Sequence, residues 1–140
     1  MWQITDRLWL GNSEAGRDQQ LFVGEPRQPN PMKTHLTLNV ANDLQVYADV
    51  TVGLMDGPGN EEWTLWAAEK ALGELQVSGK PILVHCHEGR SRSVCVIAAN
   101  LSCGNPEMSF DEALDFIRTK REDINPHPSL VADFKRVFGE

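Results

Sequence analysis

The sequence predicts a single compact α/β domain, a central sheet with helices packed on its faces. Three observations predict it. Ile82, Leu83 and Val84 form a short continuous apolar run behind Pro81, as in a strand buried on both faces. The following segment VCVIAANLSC, from Val94, is apolar nearly all round, as a buried helix is. Elsewhere strand-like alternation and helix-like spacing are mixed along the chain. At 140 residues there is room for one such domain, with a core that needs no covalent staples.

Taken in order, Trp2 to Asn12 mixes aromatic and β-branched residues and ends in Gly11-Asn12, which predicts two short strands or one bent strand. Trp2 and Trp9 are expected to pack in the core or at its edge. Ser13 to Gln20 has room for one short helical turn. From Leu21 to Lys33, Pro26, Pro29 and Pro31 fall close together, and the stretch reads as a long surface loop. Long loops are often functional; a rim contact to substrate and an idle insertion are the two readings, with the second favoured. Leu36, Leu38 and Val40 alternate, as do Val46, Ala48, Val50, Val52 and Leu54, so both stretches read as strands with one inner face. Asn42-Asp43 makes the turn between them.

Met55 to Asn60, MDGPGN, breaks the second strand. Asn60 is placed to cap a helix whose first turn holds Glu61 and Glu62, where the helix dipole favours them. That helix runs to about Val77, with Trp63, Trp66, Leu72 and Leu75 as packing residues, and Ser78-Gly79 ends it. After the buried helix, Gly104-Asn105-Pro106 is a stop. Ser109 and Glu112 form a capping box ahead of Ala113, Leu114, Phe116 and Ile117 at helical spacing. Arg118, Lys120 and Arg121 suit that helix's C-terminus. Pro126 and Pro128 interrupt before a last amphipathic helix carrying Leu130, Val131, Phe134 and Val137 or Phe138. There is no internal repeat, low-complexity tract or linker.

Charge narrows the function classes. Thirteen basic against 20 acidic side chains give a formal net charge of -7, which argues against nucleic-acid or anionic-membrane binding. A phosphate site remains compatible, because a few local donors outweigh screened, distant charge. Cys86, Cys95 and Cys103 are an odd set without metal-ligand spacing. With no apolar h-region at the N-terminus, they predict a reducing, cytoplasmic location. No run of 18 apolar residues exists, so no spanning helix is expected.

The chemistry gathers in the loop between the central strand and the buried helix, where Cys86 and Arg92 are separated by five residues. Backbone N–H groups and a helix N-terminus converge there on an anion. The same surroundings favour the thiolate form of Cys86, the nucleophilic form. Gly89 can take φ > 0 and lets the backbone approach a phosphate. Arg92 can grip two phosphate oxygens with its planar fork. Ser93 can hydrogen-bond the sulfur and help it leave. Arg90 is evenly balanced between facing solvent and binding a remote anion of the substrate. His85 and His87 flank the cysteine, but neither spacing nor a further ligand supports a metal. For Cys95, core packing is favoured over a redox partnership with Cys86.

HCHEGRSRS resembles the His-Cys-x5-Arg-Ser signature of cysteine-based protein phosphatases, in the variant typical of dual-specificity phosphatases. ITDRLWLGN, HLTLNVAND and VTVGLMD resemble the family's flanking strands, so the likeness covers most of the chain. It implies a mixed, largely parallel sheet and one phosphatase catalytic domain over residues 1–140. It implies that Cys86 attacks phosphorus while Arg92 and the loop from His87 through Glu88, Gly89, Arg90 and Ser91 hold the phosphate. The family also places its general acid in a loop some thirty residues ahead of the nucleophile, where Asp56 stands. Asp56 would protonate the leaving group and then take a proton from water; a plain loop or cap aspartate is the competing reading. Asp49 and Asp43 are the fallback acids, Asp49 being awkward inside a predicted strand. His85 is expected to be buried and hydrogen-bonded, orienting the loop, and His87 to stand at the pocket rim. Where the family often has Pro-Asn before its last helix, this chain has Pro126-His127, so His127 is expected to take over any bracing role.

The expectation is therefore a phosphomonoester hydrolase without metal or cofactor, acting as a monomer on phosphorylated protein or peptide. Its pocket would be shallow, formed mostly by residues 86–92, with the Asp56 loop as a wall, joined by the Leu21–Lys33 loop on the less favoured rim-contact reading. Two rivals stand beside it. One is a phosphatase for phosphoinositides or RNA 5′-phosphates, whose relatives tend to carry more basic residues where this loop has His87 and Glu88. The other is a phosphate-binding module without turnover.

Overall fold

The computed structural model describes residues 1–139. Strands β1 (Trp2–Thr5) and β2 (Leu8–Gly11) lead into the short helix α1 (Ser13–Asp18). A small hairpin, β3 (Phe22–Val23) and β4 (Gln28–Pro29), precedes β5 (Leu36–Ala41) and β6 (Val50–Leu54). Helix α2 (Glu62–Gln76), strand β7 (Ile82–His85) and helices α3 (Arg92–Gly104), α4 (Phe110–Lys120) and α5 (Pro128–Phe138) complete the chain. The main sheet has the order β1-β2-β7-β5-β6, antiparallel only between β1 and β2. It is the mixed, largely parallel sheet flanked by helices that the resemblance implies.

The apolar run places β7 at the centre, and all four of its residues are buried. Its even-numbered side chains, Ile82 and Val84, join the main core with Leu38, Val40, Leu54 and the inner faces of the four longer helices. Its odd-numbered side chains face α1, whose Gly16 leaves room for the His85 ring. Phe134 of α5 is fully buried and stacks on Phe110 of α4 at 6.1 Å. The capping box at α4 is present: Glu112 N–H donates to Ser109 Oγ at 3.1 Å and Ser109 N–H to Glu112 Oε1 at 3.0 Å. Such a cap contributes about 1 kcal/mol.

Three expectations about elements are corrected. The alternation from Val46 to Leu54 yields a strand only over Val50–Leu54. The backbone before it is committed elsewhere, with Leu21 N–H bonded to the Tyr47 carbonyl and Asn39 Nδ2 to the Leu44 carbonyl. The proline-rich stretch is not all loop, because Phe22 and Val23 pair with Pro29 and Gln28; in a two-stranded ribbon each proline can keep its missing N–H outward. Trp63 is 66% exposed, since α2 buries Leu65, Ala68 and Leu72 instead, while Trp66, 48% exposed, packs its ring on Phe138 at 4.6 Å. Among the described residues no helix is long and apolar enough to cross a membrane.

Because β2, β7, β5 and β6 run parallel, their C-terminal ends lie along one edge of the domain. Asn12, Cys86, Asn42 and Met55 are the next residues out of those strands, so the topology gathers their loops there. This is where open α/β sheets bind ligands.

Candidate active site

A cavity of about 590 Å³ opens at that edge, lined by Cys86, His87, Glu88, Arg90, Ser91 and Arg92, with Asp43, Asp56 and Asn125 to Pro128. The loop at its floor runs from the end of β7 to the first turn of α3. Cys86 is buried, and its Sγ lies 3.1 Å from Ser93 Oγ.

The carbonyls of residues 87–90 are each engaged by a donor outside the loop. Ser13 N–H donates to the His87 carbonyl at 2.7 Å, and Arg121 Nη1 donates to the carbonyls of Glu88 at 2.8 Å and Gly89 at 2.7 Å. Asn125 N–H donates to the Arg90 carbonyl at 2.9 Å. In a trans peptide the C=O and the next N–H point opposite ways. Four carbonyls held outward therefore turn the N–H groups of residues 88–91 toward the cavity, an anion-binding concavity. Gly89 is needed for this path: its φ is +70°, and an added Cβ would lie 2.7 Å from the Gly11 carbonyl oxygen.

Arg92 is only 5% exposed, and its three bonds all converge on Nη1. Asn42 Oδ1 and Asp43 Oδ1 accept at 3.0 Å and the Leu54 carbonyl at 3.1 Å. One corner of the guanidinium is thus anchored, which leaves the Nε–Nη2 edge for an anion. Asp43 also touches His87, whose Nε2 is 3.4 Å from Oδ1 and 3.1 Å from the Asp43 carbonyl. Burial is the largest single influence on the Asp43 carboxyl and raises it, but the charge and hydrogen bond of Arg92, with His87 and its own backbone, together hold it below its ordinary value.

Asp56 hangs over the loop as a hydrogen-bond acceptor from Ser91 Oγ, and Ser91 Oγ in turn accepts His127 N–H at 2.8 Å. The loop carrying Asp56 is closed by Asn60, whose side chain accepts Met55 N–H at 2.9 Å and donates to the Met55 carbonyl at 2.9 Å. Asn60 therefore does not cap α2; Glu61 stands at that N-cap without a side-chain capping bond, its carboxylate accepting from Trp63 Nε1 instead.

Of the residues singled out in the sequence, Cys86, Arg92, Asp56, His87, Glu88, Arg90 and Ser91 line one cavity, with Ser93 on the sulfur and Gly89 shaping the loop behind. Arg90 is paired with Asp123 at 3.0 Å while still bordering the cavity. Of the fallback acids, Asp49 is excluded by position. Its Oδ2 accepts Thr37 N–H and Lys33 Nζ, both at 2.8 Å, beside the N-terminal end of β6. Asp43 reaches the cavity but is engaged by Arg92. The Leu21–Lys33 segment does not line the cavity, so the rim-contact reading of it fails, and Asn125 to Pro128 form a wall there. His127 meets the site through its backbone N–H, since its ring Nδ1 accepts Ser129 N–H at 3.1 Å.

His85 is buried but its ring is not hydrogen-bonded as expected: neither ring nitrogen has a partner among the described residues. Burial pushes its pKa down to about 4, against a smaller upward pull from the Cys86 backbone. An unfolded histidine binds its proton near 6.5, so between pH 6.5 and about 4 the unfolded chain holds the extra proton. Stability contributed by neutral His85 is full above that window and falls as pH drops through it, by up to roughly 3 kcal/mol. Urea midpoints between pH 7.5 and 4.5 should show this fall, and His85→Gln should flatten it. Cys95 is buried too; burial first, then the negative charges of Asp56 and Cys86, push its thiol well above its ordinary value. It packs in the core.

Sequence reasoning missed Arg121. The helix dipole gave it a sufficient explanation, yet it reaches the Glu88 and Gly89 carbonyls of the Cys86 loop. Asp123 Oδ1 accepts its Nε at 2.8 Å, and the Trp2 ring lies 3.7 Å from its guanidinium. It also missed that the Asn42-Asp43 turn anchors Arg92.

Comparison with known proteins agrees with this geometry. Residues 30–137 match the dual specificity phosphatase catalytic domain. A probable rhodanese domain-containing dual specificity protein phosphatase of Dictyostelium discoideum is 32% identical over 139 residues, 94% of this chain and 27% of that protein. Dual specificity protein phosphatase 1B of Arabidopsis thaliana is 34% identical over 59 residues, 42% of this chain and 35% of the relative. The chain thus spans about a quarter to a third of the length of these curated relatives. Human DUSP28 superposes with a TM-score of 0.75 at 19% identity, covering 98% of this chain and 94% of that one. A human tyrosine phosphatase-like serine/threonine/tyrosine-interacting protein gives 0.72 at 17%, covering 97% and 93%. At such identities these two likenesses speak to the fold alone. With 108 consecutive residues matched to the family, around a cysteine, an arginine and an aspartate in one cavity, the chain belongs to the dual specificity phosphatase catalytic-domain family.

Proposed function

We propose that this domain, residues 1–140, is a metal-independent phosphomonoester hydrolase that works through a phospho-cysteine. The supporting observation is the outward engagement of four successive loop carbonyls, which turns amide N–H groups toward the cavity beside the Cys86 sulfur. Those amides and the free edge of Arg92 hold the equatorial phosphoryl oxygens, where charge is preorganised for the transition state. Cys86 thiolate attacks phosphorus as the P–O bond to the leaving group breaks, and Asp56 gives that oxygen its proton. Water then attacks the phospho-cysteine, Asp56 takes the water's proton, and the P–S bond breaks to return the thiolate. The Ser93 hydroxyl stabilises the departing sulfur.

Fold does not by itself decide between hydrolysis and binding, since one neighbour is named as a phosphatase-like interacting protein. The presence of Cys86, Arg92, Ser93 and Asp56 together favours turnover here. The substrate we infer is a phosphorylated protein or peptide. Asp43, Asp56 and Glu88 border the cavity, and with a net charge of -7 they disfavour polyanionic lipid headgroups. Phosphotyrosine should react faster than phosphothreonine, because phenoxide is the better leaving group. The reading also supposes a monomer in a reducing, cytoplasmic setting, where Cys86 stays reduced.

The test is kcat/KM, in chelator and at fixed ionic strength, for p-nitrophenyl phosphate, phosphotyrosine and phosphothreonine peptides and a bisphosphorylated inositol lipid. Turnover that survives chelation and favours phosphotyrosine peptides is expected. A lipid preference of about tenfold or more, near 1.4 kcal/mol in transition-state binding, would overturn the protein-substrate reading.

A further inference from the structure

A second cleft, of about 580 Å³, opens on the other side of the Asn42-Asp43 turn. Asp43 borders the Cys86 cavity and Asn42 borders this cleft. These two residues are consecutive, with Cα atoms about 3.8 Å apart, so the two cavities share one turn of the chain as a wall. We propose that this cleft takes an uncharged apolar side chain of the phosphorylated peptide whose phosphoresidue occupies the Cys86 cavity. The proposal rests on the phosphatase reading and adds to it a determinant of peptide choice.

The chemistry of the walls selects the occupant. Leu44, Val46 and Tyr47 supply apolar surface, Thr51 and Gly53 of β6 form the floor, and the remaining polar lining is amide, with no charged side chain. Such a cleft offers a charged group amide and hydroxyl hydrogen bonds but no opposite charge to offset its desolvation, whereas withdrawing an alkyl or aryl group from water against Leu44, Val46 and Tyr47 is favourable. The contrast with the neighbouring cavity is complete, since that one is bordered by carboxylates and guanidinium groups. Strand β6 is the edge of the sheet, so the described chain places no further strand beyond it.

The wall is preformed. Leu21 N–H donates to the Tyr47 carbonyl at 2.7 Å, and Asn39 Nδ2 to the Leu44 carbonyl at 2.9 Å. Tyr47 is held from behind by Phe22, edge to face at 5.6 Å, and by the Arg27 guanidinium 5.0 Å from its ring. The β3–β4 hairpin thereby acquires a role: it does not touch the phosphate cavity but props the outer wall of the second cleft. An extended peptide advances about 3.3 Å per residue and turns every second side chain to the same side. A residue about two positions from the phosphoresidue therefore faces the protein on the same side as the phosphoresidue, within reach of a neighbouring cleft.

The experiment uses phosphotyrosine peptides that differ only in carrying Leu or Asp two positions before or after the phosphotyrosine. Each kcat/KM is divided by the same enzyme's value for p-nitrophenyl phosphate, which is too small to reach the cleft. The wild type is expected to favour Leu over Asp by about tenfold on one side. Thr51→Trp, which fills the cleft from an exposed strand position, and Tyr47→Ala, which removes its wall, should each reduce that preference to within about twofold. A wild type blind to the substitution, or variants that keep the preference, would overturn the cleft while leaving the phosphatase reading intact. A wild type without turnover of p-nitrophenyl phosphate would overturn both.

Discussion

Cys86→Ser is expected to lower turnover on the order of 10⁴-fold or more, the scale seen when a catalytic nucleophile is removed. The serine oxygen would sit where the sulfur sits, beside Ser93, and the loop has no base positioned to take its proton. Ser93 is itself a hydroxyl at 3.1 Å, and in this step Asp56 holds the proton destined for the leaving group. Binding of a phosphate analogue should largely survive, because the loop amides and Arg92 are held by groups other than Cys86. Their anchors are Ser13, Arg121 and Asn125 for the backbone, and Asn42, Asp43 and Leu54 for the guanidinium. Tungstate titration by calorimetry against steady-state rates separates the two effects. Rate and affinity falling together would indicate that Cys86 shapes the loop rather than attacks phosphorus.

Asp56→Asn is expected to cost roughly 10²–10⁴ in rate, the usual worth of general acid–base catalysis. The amide can still accept from Ser91, so the Met55–Asn60 loop should keep its closure and KM should move little. The loss should be greatest for phosphothreonine, whose alkoxide needs its proton, and smaller for p-nitrophenyl phosphate. A uniform loss across leaving groups would contradict a proton-transfer role. Unchanged kinetics would shift the assignment to Asp43, the one fallback acid that borders the cavity.

The strand, loop and buried helix around Cys86 were legible because every signal for them is local. An apolar run, a glycine able to take φ > 0 and an apolar helix follow one another within a few residues. The same holds for the Ser109–Glu112 capping box. What was not legible depends on residues far apart in the chain. Arg121 reaches carbonyls 32 and 33 positions away, and Asn42 and Asp43 reach Arg92 across 50 and 49; no periodicity encodes such contacts. The alternation of Val46 to Asp49 misled because backbone groups there found better partners off the sheet. Trp63 misled because its type, rather than its phase on α2, argued for packing. His85 was read as hydrogen-bonded where Gly16 merely packs against its ring.

The central claim is that phosphate passes through Cys86, and the most direct measurement looks for it there. In the Asp56→Asn enzyme the hydrolytic half-reaction lacks its base, so the intermediate should accumulate on p-nitrophenyl phosphate. Rapid quenching followed by mass spectrometry of the proteolytic fragments should find one phosphoryl group on the fragment containing Cys86, localised to its sulfur. It should be absent from Cys86→Ser enzyme treated identically. Continued product release with no phosphorylated cysteine, or a phosphoryl group localised to another residue such as His87, would contradict the account.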